Sequence, residues 1–136
     1  MRSVVADTHA LIWYLTAPEL LSPTSRGVLE DVVAAGGAIA VSAVSLIELV
    51  YVAEKRSDSI DAETLGLVLD VVEEPSSPIS LLPLSMEVVR AMVEIPRVHV
   101  RDPFDRAIVA TARTAGLRLV TRDGLLTRFF PELCLW

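Results

Sequence analysis

The chain of 136 residues holds one cysteine, one lysine and two histidines, and each scarcity removes a class of chemistry. A lone thiol, Cys134, makes neither an intrachain disulfide nor a cysteine zinc site, and is expected in the core as part of the last strand. His9 and His99 stand ninety positions apart, which gives a histidine-based nuclease little to build on. A phospho-receiver domain also has a parallel α/β fold and an acidic magnesium pocket, but it needs a lysine after a late strand. Lys55 lies in the wrong half of the chain for that role. There is no basic, then apolar, then small-residue start, so no signal peptide is expected. Internal repeats, linkers and low-complexity tracts are absent.

Apolar residues are plentiful, at 52%, and the mean hydropathy is +0.52. Two accounts of that surplus stand open: an unusually aliphatic core, or an apolar subunit interface. The length suits a single domain, residues 1–136, with one continuous core. Between Val32 and Ala53 the only charge is Glu48, and the length would span a bilayer. Gly36-Gly37, Ser42 and Ser45 interrupt it, so a buried strand followed by a helix is expected instead, and no membrane contact.

The formal net charge is −6, unevenly spread. Residues 1–94 carry a balance of −9, whereas residues 95–128 hold seven arginines against three aspartates. A strongly acidic protein is a poor general binder of nucleic acid. If it acts on a polyanion, cations and the arginine-rich segment must offset the repulsion locally.

Helix and strand signals alternate. Ser3–Ala6 reads as a short strand ending at Asp7, and His9–Leu15 as a helix stopped near Pro18. Ser22-Pro23 starts a helix that Gly36-Gly37 ends, and Ala38–Val41 is the second strand. Ser42 caps a third helix running to about Arg56, with Val44, Ile47 and Tyr51 on one apolar face. Asp61 caps a fourth, ending before the Pro75–Pro78 loop. Ile79–Leu84 is a strand, and Ser85 opens a helix that closes before Pro96. Asp102-Pro103-Phe104-Asp105 combines a cap, a proline at the first helical position and an early acid, and that helix ends at Gly116. Leu117–Thr121 and Leu133–Trp136 are the last strands. With no hairpin signal, this order implies a three-layer α/β/α fold with a mostly parallel sheet.

In such a sheet ligands sit beyond the carboxyl ends of the strands. Asp7 ends the first strand, and Asp123 follows another. Glu48 lies in the second turn of the helix after strand two, and Asp105 in the first turn of a late helix. All four can reach one edge. Glu48 is the single polar side chain in Leu46-Ile47-Glu48-Leu49-Val50-Tyr51-Val52. A buried carboxylate costs several kcal/mol, by order-of-magnitude estimates of about that size, unless paired or bound to a cation. Gathered carboxylates repel, and protonation or a divalent cation resolves the repulsion. Oxygen donors alone favour magnesium or manganese over zinc, and such ions serve phosphodiester hydrolysis. Each acid also has a plain structural reading: Asp7 and Asp102 as caps, Asp105 as a first-turn acid, Asp123 as a turn residue, Glu48 in an ion pair.

Val5-Ala6-Asp7-Thr8-His9-Ala10-Leu11-Ile12-Trp13, Ser45-Leu46-Ile47-Glu48, Arg101-Asp102-Pro103-Phe104-Asp105-Arg106 and Leu119-Val120-Thr121-Arg122-Asp123 resemble, in this order, the motifs of PIN domains. More narrowly, they resemble VapC-type toxins of bacterial toxin–antitoxin pairs, over essentially the whole chain. The resemblance implies a PIN-like fold and a cytoplasmic, Mg2+- or Mn2+-dependent endoribonuclease. Its metal-binding and catalytic acids would be Asp7, Glu48, Asp105 and Asp123. Thr8, Asp102, Thr121, Arg106 and Arg122 would support those acids or touch substrate. The implied partners are an RNA substrate, a second copy in a homodimer, and a VapB-type antitoxin whose basic tail enters the acidic site. Many members have asparagine where this chain has Arg122 and serine where it has His9, so both departures bear on substrate. The alternative is a PIN-like protein that binds or scaffolds without catalysis, against which the intact quartet argues.

Overall fold

The computed structural model describes residues 2–55 and 60–136. Five strands form one sheet: β1 (Val4–Ala6), β2 (Ile39–Ser42), β3 (Ile79–Leu82), β4 (Leu119–Val120) and β5 (Cys134–Leu135). Their spatial order is β3-β2-β1-β4-β5, and every pairing is parallel. The register sets Val4 against Ile39 and Val5 against Leu119. The central strands are apolar and fully buried, as strands covered on both faces must be. Successive residues of β1 feed different halves of the core. Val4 and Ala6 pack with Leu11, Leu29 and Leu49, and Val5 packs with Ile108, Leu119 and Leu126.

The helices are α1 (Thr8–Thr16), α2 (Pro23–Ala34), α3 (Ala43–Glu54), α4 (Ala62–Glu73), α5 (Met86–Val93), α6 (Pro103–Ala115) and α7 (Gly124–Phe129). The expected caps are in place: Ser22, Ser42, Asp61, Ser85 and Asp102 each accept a backbone N–H of the helix they open. Gly116 closes α6 at φ 66°, a left-handed conformation that disfavours any side chain with a Cβ. Gly37 is required for a different reason. A Cβ there would lie 1.4 Å from the Arg2 carbonyl oxygen, so only glycine lets the α2–β2 turn pass the chain start.

The Val32–Ala53 run resolves, as expected, into a strand, β2, followed by a helix, α3, and no described helix is long and apolar enough to cross a membrane. Other expectations needed correction. Helix α3 is described to Glu54; Arg56, its expected end, lies outside the described residues. Its inward face holds Val44, Ser45 and Leu49, while Ile47 and Tyr51 are 44% and 58% exposed. The run is apolar all round, so periodicity does not select a face. β3 ends at Leu82, before Pro83, and β4 and β5 are two residues each. A short 3-10 turn, Pro18–Leu20, follows α1. Helix α7 had no forecast, because Asp123-Gly124 reads as a turn and only six residues follow in helix.

Candidate functional site

The chain builds β1, β2 and β3 outward on one side, then returns to lay β4 on the other side of β1. The sheet's switch point therefore falls between β1 and β4, where open α/β sheets bind ligands beyond the carboxyl ends of their strands. Asp7 leaves β1 there, and its N–H bonds the Val120 carbonyl of β4 at 3.0 Å. The Asp7 carboxylate caps α1, accepting from the Ala10 N–H at 2.9 Å, and accepts a short hydrogen bond from the Thr121 hydroxyl. The Thr121 oxygen in turn accepts from the Asp123 N–H at 3.1 Å. One buried hydroxyl thus couples the acids that follow the two central strands.

Asp123 caps α7, accepting from the Leu125 and Leu126 N–H groups at 2.8 and 3.0 Å. Asp102 caps α6 through Phe104 and Asp105 at 2.8 and 3.2 Å. The structural readings of Asp7 and Asp102 as caps are correct, and for Asp7 the cap coexists with a place in the cleft. Three of these acids sit at helix N-termini, where partial positive charge favours a carboxylate.

Glu48 is half-buried rather than enclosed. Its Oε1 accepts from the Thr8 hydroxyl at 3.0 Å. The structural ion pair does not form: among the described residues the one salt bridge joins Arg26 and Glu30 at 2.7 Å. Glu48 opens instead into a cleft of about 500 Å³, lined by the carboxylates of Asp7, Glu48, Asp102, Asp105 and Asp123. Thr8, His9, Trp13, Ile108 and Arg122 complete the lining.

The acids feel one another. Burial, more than any other cause, raises the pKa of Asp7, with Asp123 adding to the rise and the Thr121 and Ala10 hydrogen bonds opposing it. Burial also raises Glu48, against the Thr8 hydrogen bond and with help from Asp102 and Asp7. Asp105 is pushed up to about 7, first by burial and then by Asp102, Asp123, Glu48 and Asp7. No hydrogen bond counters that rise. Beneath the site, burial pushes Cys134 up to about 11, so the thiol stays protonated and inert.

An oxygen-only donor set under mutual repulsion fits a hard divalent cation. Among the described residues no three His, Cys, Asp or Glu side chains stand as a ready-made ligand cluster. The carboxylates line the cleft instead, and an ion such as magnesium, which keeps several of its waters, does not require a preformed all-protein cage.

The two arginines expected at the site part company. Arg122 lines the cleft, with its guanidinium 5.4 Å from the Trp13 ring centroid. Arg106 turns away, and its Nε donates to the Ile95 carbonyl at 3.1 Å, so it ties α6 to the preceding loop. Trp13 was not among the expected site residues, and His9 entered the sequence reading only as a departure bearing on substrate. Their spacing of four on the helix that Asp7 caps puts them on one face, a signal that was available.

A parallel three-layer α/β fold with an acid-lined cleft at its switch point is the class that these features define. The family model of the PIN domain matches residues 4–129, and the chain belongs to the PIN-domain family. It is 29% identical over 126 residues to Ribonuclease VapC22 of Mycobacterium tuberculosis, covering 93% of this chain and 91% of that one. In fold it is similar to a chain of VapBC2 from Rickettsia felis bound to a promoter DNA fragment. That match has a TM-score of 0.69 at 19% identity, over 98% and 97% of the two chains. A toxin–antitoxin complex from Klebsiella pneumoniae matches with a TM-score of 0.66 at 19% identity, over 98% and 96%.

Proposed function

We propose that this chain is a metal-dependent endoribonuclease that hydrolyses RNA phosphodiester bonds, acting as the toxin of a VapBC-type toxin–antitoxin pair. The observation that carries the reading is the convergence of Asp7, Glu48, Asp105 and Asp123 from four separate elements on one cleft. Asp105, pushed up to about 7 first by burial and then by the neighbouring acids, marks where negative charge is least tolerable without a cation. The likeness to a ribonuclease over nearly the full length of both chains supports the same reading.

In this reading Asp7, Glu48, Asp105 and Asp123 supply the oxygen ligands. Thr121 and the Ala10 N–H together orient Asp7, one on each carboxylate oxygen, and Thr8 orients Glu48 by a hydroxyl bond to one carboxylate oxygen. A bound Mg2+ or Mn2+ would polarise the phosphate and lower the pKa of the attacking water. The acidic cleft and a formal charge of −6 also suit a VapB-type antitoxin with a basic tail. Exposed Ile47 and Tyr51 on α3 and Leu67 on α4 offer apolar surface for that antitoxin or for a second copy of the chain. The proposed location is the cytoplasm.

Asp105→Asn tests the assignment. With magnesium or manganese present, cleavage of RNA should fall on the order of a hundredfold or more, since an ion's stabilisation of developing charge is worth several kcal/mol. The variant's melting temperature should not drop, and chelator should abolish wild-type cleavage. Full activity of Asp105→Asn would remove it from the site. Failure of the wild type to cleave any RNA with either ion would favour the silent, binding-only alternative.

A further inference from the structure

The cleft has a second wall that ion binding does not use. Trp13, half-buried on α1, faces the cleft beside His9, and their ring centroids lie 5.7 Å apart. Trp136 supports it from the last residue of the chain, with centroids 5.8 Å apart and planes tilted by 59°. Among the described residues Arg122 is the single lysine or arginine lining the cleft, and it shares that space with five carboxylates. Yet it pairs with none of them, since the one salt bridge among the described residues lies elsewhere. Its guanidinium rests by the Trp13 indole instead. A cation held off its nearest anions and against an aromatic ring remains available to an incoming anion.

We infer that this wall is a nucleobase subsite: Trp13 stacks one base of single-stranded RNA, and Arg122 holds the phosphate beside it. The inference rests on the proposed RNA substrate. Its chemistry follows from the two walls together. A nucleotide presents a flat π-face and an anion joined by a sugar, and so matches an indole and a guanidinium placed next to each other. Stacking on Trp13 is open to every base, so this wall positions the strand while leaving sequence choice broad.

The test uses the non-cleaving Asp105→Asn protein with magnesium and a short single-stranded ribo-oligonucleotide. Affinity is compared between the intact strand and strands carrying one abasic position each. Trp13→Leu keeps apolar volume without a π-face, and Trp13→Phe restores a ring. One abasic position should weaken binding about tenfold, and Trp13→Leu should weaken the intact strand about tenfold, the size of one lost stack. Combining the two should weaken binding no further than either alone, and Trp13→Phe should recover most of the loss. Multiplying effects, or unchanged affinity of a folded Trp13→Leu protein, would overturn the subsite. If the wild type still cleaves RNA in that case, the nuclease reading stands without it. If the wild type neither binds nor cleaves RNA, both fall.

Discussion

The two walls of the cleft are built by different rules. On the acidic wall Asp7, Asp102 and Asp123 cap helices through hydrogen bonds to backbone N–H groups two or three residues ahead, and Asp105 sits in the first turn of α6. Local chain geometry decides where those groups go. The aromatic wall joins Trp13 of α1, Arg122 of the β4–α7 turn and Trp136 of the chain end, which only the finished fold brings together. One wall concentrates negative charge and strains to keep it; the other carries, unpaired, the one lysine or arginine that lines the cleft among the described residues. A site of this kind holds apart what substrate must bridge.

The sharpest way to break the comparison is to relieve the acidic wall. In chelator, the Asp105 carboxyl has a pKa of about 7 against an ordinary value of 3.8. The folded protein then keeps a proton that the unfolded chain has released, so stability falls as pH rises from about 4 to about 7 and stays low above. Asp105→Asn removes that loss. Its metal-free form should be more stable than the wild type at pH 8, by about 1–2 kcal/mol after allowance for the solvent-facing half of the side chain. The two should converge near pH 4. Urea midpoints at both pH values check this, and a variant no more stable at pH 8 would mean that burial and the neighbouring acids do not burden the Asp105 charge.

The arginines sharpen the contrast further. Arg106→Ala deletes a hydrogen bond to the Ile95 carbonyl and should cost about 1 kcal/mol of stability. Arg122→Ala should leave stability nearly untouched, but should lower the salt slope of RNA binding by about one. Binding across a salt series, in the Asp105→Asn background, separates them. A salt slope that changes with Arg106 and not with Arg122 would reverse their places.

The acids were legible because capping and strand-end placement act over a few residues. Ser22, Asp61 and Asp102 announced their helices in the same way. What escaped was set by long-range packing. Arg106 and Arg122 each adjoin an acid in sequence, and nothing local says that the first turns to the Ile95 carbonyl and the second to Trp13. Helix α3 is apolar on all sides, so its pattern could not show that Tyr51 faces outward. Helix α7 hid behind an Asp-Gly pair that reads as a turn. His9 and Arg122 stand far apart in sequence yet flank the same indole. Their common address became visible only in the fold.

The smallest expected effect is the most discriminating for the acidic wall. Among the described residues Glu48 has no cationic partner within salt-bridge reach, and its one side-chain bond there is the Thr8 hydroxyl, which a glutamine amide oxygen also accepts. Burial and the charges of Asp102 and Asp7 raise its pKa, so in the metal-free protein the charged form is a burden. Glu48→Gln should therefore leave stability in chelator unchanged or raised by a few tenths of a kcal/mol, roughly the size of a relieved surface repulsion. With magnesium or manganese added, the wild type should gain more in melting temperature than the variant, because only the carboxylate offers a charged ligand. A variant clearly less stable in chelator would make Glu48 a structural residue, since a group that helps the fold without metal is not there to wait for one. An equal gain from metal in both proteins would leave the ion to Asp7, Asp105 and Asp123.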